Sequence, residues 1–426
     1  MTRLALAALL LLVVAPLRAM DHSMPPLDLR AFATAAADSG GLAPGTMVPD
    51  FRLTDHTGTT RELYYESSAK AIVLVFTGTN SPRALQTAAA LRALRARFSA
   101  SEVVIWQIDS NAGTARSVVA AEQALFVNDT PVLLDDAQLV ATELGATRQL
   151  ETFVLRAAPF WTLVYRGPLD NAAPGTLAAP TQNHTADAVA ALLANQPLAN
   201  PRVDLPAGAT ALELPPPPAI NYATDVAPII LRRCVQCHTD AAIAPFTLLK
   251  YEDVQGRASS IRADMLLKRM APWHADPQYG VFANNVALTG AEIATLHAWT
   301  RAGAPRGTGA DPLLATPATP TPDWPLGQPD LVLTIPKQDL PATGILQYRY
   351  IPIAVPITTN RWLRAAVVKP GNSRVVHHAL VFEGSLLDVL LNEGGLGGFF
   401  AGYVPGLQQT FFPENTGKLL RANGLI

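Results

Sequence analysis

Cysteine is scarce in this chain: 426 residues hold two. They can form at most one disulfide, so no disulfide framework braces the fold. Charge is scarce too, with Asp, Glu, Lys and Arg at 15% of residues, below the usual share of about a quarter. The formal net charge is −2 and no basic cluster is present, so nothing displaces counterions from phosphate and a nucleic-acid surface is excluded. Beyond the N-terminus, no segment reaches the roughly 18 uninterrupted apolar residues needed to cross a bilayer. The length exceeds one ordinary core and implies about three domains.

What is present begins with "MTRLALAALLLLVVAPLRAM", where Arg3 precedes an apolar run from Leu4 to Ala15 and Pro16 ends it. Such a run is too short for a membrane span but suits the core of a signal peptide, with Leu17 and Ala19 offering a small-residue cleavage site. Residues 1–19 are expected to direct export to the periplasm or medium, leaving no transmembrane span after removal; retention as an anchor is the alternative. Two proline-rich stretches, 201–219 and 305–329, have no apolar period. They read as semi-rigid spacers. Linkers at 201–219 and 309–327 then separate domains at 42–200, 220–308 and 328–426. No internal repeat is present.

In the first domain, apolar strands such as "AIVLVFTG" and "EVVIWQID" alternate with helical patterns such as "ALQTAAALRALRARF". This predicts an α/β sheet covered by helices. The wording "VPDFRLTDHTGTTREL", "VLVFTGTNSPRA" and "PVLLDDAQLVATELGATRQLETFVL" resembles the thioredoxin-like redoxins. That resemblance implies a cysteine at the start of the first long helix, where the helix dipole stabilises a thiolate. Ser81 and Ala84 stand there instead, and Leu150 stands where the family's cis-proline falls. Thiol peroxidase and disulfide-exchange chemistry are thereby excluded. Ser81 reads either as a helix cap with Pro82 at the first helical position or as a different nucleophile, and docking or scaffolding is the role left to the domain.

The second domain contains both cysteines, in "CVQCH" at 234–238. Two thiols at this spacing with a histidine behind the second read as covalent haem c attachment, with Cys234 and Cys237 as thioether anchors and His238 as the proximal iron ligand. A structural zinc site needs four ligands, normally from two clusters, and no second cysteine pair exists. A redox dithiol belongs at a helix start after a strand and has no need of His238, whereas "TDVAPIILRR" predicts a helix from near Thr224 ending at the motif. The segment "IRADMLLKRMAPWHADP" resembles single-haem cytochromes c, whose ligand methionine is followed closely by proline. Met270, two residues before Pro272, is the favoured sixth ligand over His274. Met265 shares an apolar helical face with Ile261 and Leu266 and reads as core. Methionine ligation would raise the reduction potential relative to two histidines. Thr289 and Glu292 form a capping-box signature ahead of an all-α closing helix that Gly303 stops. His297 reads as a satisfied helix residue, and Trp273 and Trp299 as haem wall or core.

From Gln328 the pattern becomes strand-like in "DLVLTI", "YRYIPIAV", "RWLRAAVVKP" and "VVHHALVF". Period two with proline-glycine turns predicts part of an all-β antiparallel sandwich. Consecutive strand residues face opposite sides, so His377 and His378 could share a metal only from an irregular strand, and a structural reading of the pair stays open. "RWLRAAVVKPGNSRVVHHALVF" with "FFAGYVPGLQQTFFPENTGKLL" resembles the first domain of the copper type II, ascorbate-dependent monooxygenases. The resemblance implies that His377 and His378 bind copper together with a later strand histidine, and that a second domain activates oxygen. No histidine follows His378 here, and the second domain is missing, as are the cysteines that usually brace the first. The expectation is a fragment of a longer protein, or a partner half encoded separately.

Together these readings predict a bacterial exported oxidoreductase. A degenerate redoxin precedes a haem c electron carrier and a copper-monooxygenase-like module, served by a redox partner protein or small electron donor. The alternative is a non-enzymatic carrier or copper-binding protein whose outer domains dock partners. A third reading is peroxidase action through an open iron position. Oligomeric state and substrate are not set by these motifs.

Overall fold

The computed structural model describes residues 41–426 apart from 158–159, 173–178, 217–218, 240–243, 271–278, 283–284, 316–323, 325–326, 345, 373–374, 385–397 and 405–408. The expected signal segment, Trp273 and His274 lie outside the described residues.

The N-terminal module contains β1 (Arg52–Thr54), β2 (Thr60–Glu62), β3 (Ala71–Thr77), α1 (Ala84–Arg97), β4 (Val103–Asp109), α2 (Arg116–Leu125), β5 (Val132–Leu134), α3 (Leu139–Leu144), β6 (Glu151–Arg156), β7 (Thr162–Pro168) and α4 (His184–Leu193). β1 and β2 pair as a separate antiparallel ribbon. The other five strands form one sheet in the order β5-β4-β3-β6-β7, parallel at β3–β4 and β4–β5 and antiparallel at β3–β6 and β6–β7. Every residue of β3 is buried because alternate side chains serve two cores. Ala71, Val73 and Val75 meet Leu91 and Leu94 of α1 and Val189 of α4. Ile72, Leu74 and Phe76 point the other way, toward Trp106, Val140 and Leu144. Each large apolar side chain buried this way contributes about 1.5–3 kcal/mol. This is the α/β architecture expected of a thioredoxin-like domain.

The helical segment begins with a π-helical turn over Tyr222–Val226 that runs into α5 (Ala227–Arg233). Its cap is Asn221, whose side chain accepts from Ala223 N, so the helix starts earlier than the apolar pattern near Thr224 suggested. α6 (Tyr251–Gln255), α7 (Ala258–Leu266), α8 (Gly290–Arg301) and α9 (Pro312–Ala315) follow. Thr289 and Glu292 close a reciprocal capping box on α8. Trp299 is fully buried with its indole N–H donated to Pro305 O, and Met265 is core. No described helix is long and apolar enough to cross a membrane.

The C-terminal region is a separate set of antiparallel pairs: β8 (Arg361–Leu363) with β13 (Lys418–Leu420), β9 (Ala365–Val367) with β12 (Gln409–Phe411), and β10 (Ala379–Phe382) with β11 (Phe399–Tyr403). They enclose a small core of Val355, Val368, Phe400, Ala401, Tyr403 and Leu420. The strands expected at "DLVLTI" and "YRYIPIAV" do not form; only Ala354 makes an isolated bridge, to Leu425. Pro352 removes a ladder donor inside the second of these, and Pro336 and Pro356 stand directly after each.

The first proline-rich stretch is not a free spacer. Arg166 N donates to Pro201 O and Val203 N to Arg166 O, and Gln149 N donates to Thr210 O, Leu212 N to Thr147 O. Non-proline residues here keep their donors, and the sheet module supplies partners.

The apolar core behind α3 continues without a break into Tyr222, Ile230, Met265 and Trp299 of the helical segment. Across this seam, Glu143 of α3 accepts from Arg262 of α7 (Nε to Oε1, 2.7 Å) and from His297 of α8 (Nε2 to Oε1, 2.5 Å). Arg262 also donates to Oε2 of the same carboxylate, and Arg301 donates to Thr142 O. All of Glu143, Arg262 and His297 are buried. Burial alone would push the Glu143 carboxyl up; the hydrogen bonds from His297 and Arg262 and their charges outweigh it and bring the group down to about 2.

Two outcomes are expected from this seam. Gly145, the left-handed cap of α3, has φ of +68°, and an added Cβ would lie 2.3 Å from Gly41 Cα, so Gly145→Ala should cost more than about 1 kcal/mol in a denaturant melt. Glu143→Gln should cost about 3–5 kcal/mol at neutral pH by leaving the buried Arg262 guanidinium without its charge partner. A depressed carboxyl stabilises the fold above its unfolded value of 4.5 and loses that contribution as pH falls through about 2. The wild type's advantage over Glu143→Gln should therefore shrink between those limits; a constant gap in melting temperature would contradict it.

Candidate haem attachment turn and histidine pair

α5 is short because the chain turns at Cys234, where two backbone bonds return to Ile230 O, from Cys234 N and Val235 N. Cys237 N and His238 N then both donate to Cys234 O, at 3.0 and 2.9 Å. One tight turn thus presents both sulfurs and the imidazole. The two thiols are free of any disulfide. Burial raises the Cys234 thiol to about 12, with the Cys237 and Glu292 charges adding to it, and burial raises Cys237 as well. Neither is a thiolate at neutral pH, which is the opposite of a redox dithiol.

The His238 ring is buried. Its Nδ1 lies 3.1 Å from Phe246 O, and a carbonyl can only accept, so Nδ1 carries the proton and Nε2 keeps its lone pair. Holding one ring nitrogen this way is how a metal-ligating histidine is oriented. Burial lowers the His238 pKa, which favours the neutral ligand form. Phe246 packs against the ring with centroids 4.5 Å apart and planes tilted by 40°, and the Arg257 guanidinium lies 4.3 Å from the Phe246 centroid. Two unpaired sulfurs beside an imidazole with a free nitrogen fit covalent haem c.

Met270 leaves the C-terminal turn of α7 with its side chain 45% exposed, in contrast to buried Met265. No described contact joins it to His238, so the structure brings together Cys234, Cys237 and His238 but not the sixth-ligand candidate. His297 is held by Glu143, and sequence spacing gave no sign of a partner 154 positions away.

His377 and His378 lie just before β10, outside any strand, so strand alternation does not separate them. Their Nδ1 atoms are 2.9 Å apart, and Tyr348 packs 5.8 Å from the His378 ring. Among the described residues, no group of three or more His, Cys, Asp or Glu side chains could hold a metal ion. Tyr403, paired with Ala379 next to His378, has its hydroxyl pKa raised by burial and then by the Cys237 charge.

In the N-terminal module, α1 starts at Ala84 with Arg83 as its cap. Ser81 is not that cap, and Pro82 is not the first helical residue. Ser81 Oγ instead accepts from Arg83 N at 3.2 Å and donates to Gln149 Oε1 at 2.6 Å. An amide oxygen is no base, so this contact does not activate the hydroxyl. Leu150, in the cis-proline position, adopts a left-handed φ of 62° and donates its N–H to Phe76 O. Arg83 reaches Gly208 O of the proline-rich stretch, which therefore runs beside this former thiol position.

No curated protein matches the chain. Among solved structures, a hypothetical protein of Sinorhizobium meliloti 1021 is 22% identical with a TM-score of 0.36, covering 41% of this chain and 96% of its own. An uncharacterized conserved protein from Geobacillus kaustophilus is 20% identical with a TM-score of 0.35, covering 41% and 93%. Peroxidoxin BcpB from Mycobacterium tuberculosis is 24% identical with a TM-score of 0.28, covering 35% and 96%. Residues 44–161 match the AhpC/TSA family, and the N-terminal module has the thioredoxin-like fold of that family.

Proposed function

We propose that the protein is an exported electron carrier in which Cys234 and Cys237 hold haem c covalently and His238 binds its iron through Nε2. The reading is carried by the attachment turn, where free protonated thiols and a carbonyl-oriented imidazole stand together. Haem bound there supplies a one-electron couple. The chain's own residues fix the ligand tautomer through Phe246 O, hold apolar surface around the ring and, through Met270, offer a sulfur that would raise the potential. The location outside the cytoplasm is proposed from the N-terminal 1–19 pattern.

The finer part of the proposal is that the carrier serves a copper-monooxygenase-like module. A right-angle pair of metal–nitrogen bonds of about 2.0–2.1 Å separates the nitrogens by about 2.9 Å, which agrees with the Nδ1–Nδ1 distance of 2.9 Å at His377 and His378. Two imidazoles with no third His, Cys, Asp or Glu donor grouped with them among the described residues would hold copper weakly. The second reading is a carrier or copper-binding protein without catalysis.

Protein matured in a host competent for c-type cytochromes should carry one haem per chain that survives denaturation, as a pyridine haemochrome spectrum reads. Cys234→Ser with Cys237→Ser should abolish it. Colourless wild-type protein with both thiols open to alkylation would end the haem reading. In a copper titration, His378→Ala should bind about tenfold more weakly or worse, a loss of about 1.4 kcal/mol; a wild type that takes up no copper removes the copper part.

A further inference from the structure

The N-terminal module keeps a redoxin fold without redoxin chemistry, which leaves the question of what it contributes. Two of its contacts with the helical segment, through Arg262 and Arg269, fall on the segment that ends at Met270. Glu143 binds Arg262 through two donors and His297 through a third, so one buried carboxylate locks α7 to α8 from the sheet side. Arg262 stands one turn before the end of α7. From there to Met270 the backbone has little slack. Leu267 N donates to Ala263 O, Lys268 N to Met265 O and Arg269 N to Asp264 O, and Lys268 reverses the chain with φ of 50°. The Arg269 guanidinium, next to Met270, lies 4.0 Å from the buried carboxylate of Glu62 in β2, whose nearer partner is Arg52 at 2.7 Å. Both supports come from the N-terminal module. Neither touches the attachment turn, which hangs from α5 and is tied instead to α8 through Arg233 and Glu292 at 3.1 Å.

We infer that Glu143 is a positioning residue for the sixth iron ligand: acting through Arg262 and His297, it sets where Met270 presents its thioether, and supplying it is what the former redoxin now does. The inference rests on the haem reading above. A buried carboxylate paired to one partner would serve cohesion alone. One shared between two helices sets the placement of the last turn of α7, from which Met270 leaves.

The test uses the haem-loaded full-length chain. Wild type should show the ferric methionine–iron charge-transfer band, and Met270→Ala should abolish it. Glu143→Gln and the milder Arg262→Lys, which keeps charge but not the two-pronged contact, should retain the same covalent haem per chain. Both should lose at least half of the band and shift the reduction potential downward. Unchanged band and potential in both variants would overturn the inference while leaving the haem reading intact. A band that survives Met270→Ala would overturn it through its ligand, and colourless wild type would instead sink the haem reading beneath it. Should Glu143→Gln fail to accumulate folded, Arg262→Lys decides alone.

Discussion

The arrangement hangs on one carboxylate taken out of water. A lone ionised group in a protein interior costs several kcal/mol, and Glu143 meets that cost only because Arg262 and His297 approach it from two different helices. α3, which carries Glu143, has six residues. It is too short to persist without tertiary support, and the Gly41–Gly145 approach clamps its far end. Sheet, α3, α7 and α8 therefore stand or fall together, and the apolar core running through them shows no boundary at residue 220.

At the strand–helix junction of the sheet module, where the redoxin resemblance implies a thiolate, Ser81 hydrogen-bonds an amide and Ala84 offers no sulfur. The sulfurs sit a module later, on a helix C-terminal turn whose dipole end and burial both keep them protonated. A protonated, unpaired pair is poor at disulfide exchange and suited to being tethered.

Much of this was legible in the residues. The continuous apolar run at 71–77 announced a central strand, the Thr289–Glu292 capping box fell where the spacing put it, and the CVQCH turn was visible by composition alone. The rest depended on distance in sequence. His297 reads as an ordinary helical residue until Glu143 is seen against it, 154 positions away. Local apolar alternation at 330–335 and 348–355 suggested strands, but pairing partners are a tertiary matter and prolines take away the donors. His377 and His378 converge because their stretch is irregular, which period-two reasoning cannot foresee.

The path of residues 208–212 has one more consequence. Gly208 accepts from Arg83, Thr210 accepts from Gln149 N and Leu212 donates to Thr147 O, so the chain has laid its own backbone along the rim of the old thiol position. A tethered occupant of this kind acts at an effective concentration on the order of millimolar. A free polypeptide of ordinary micromolar affinity would have to compete at that rim with a segment that never diffuses away.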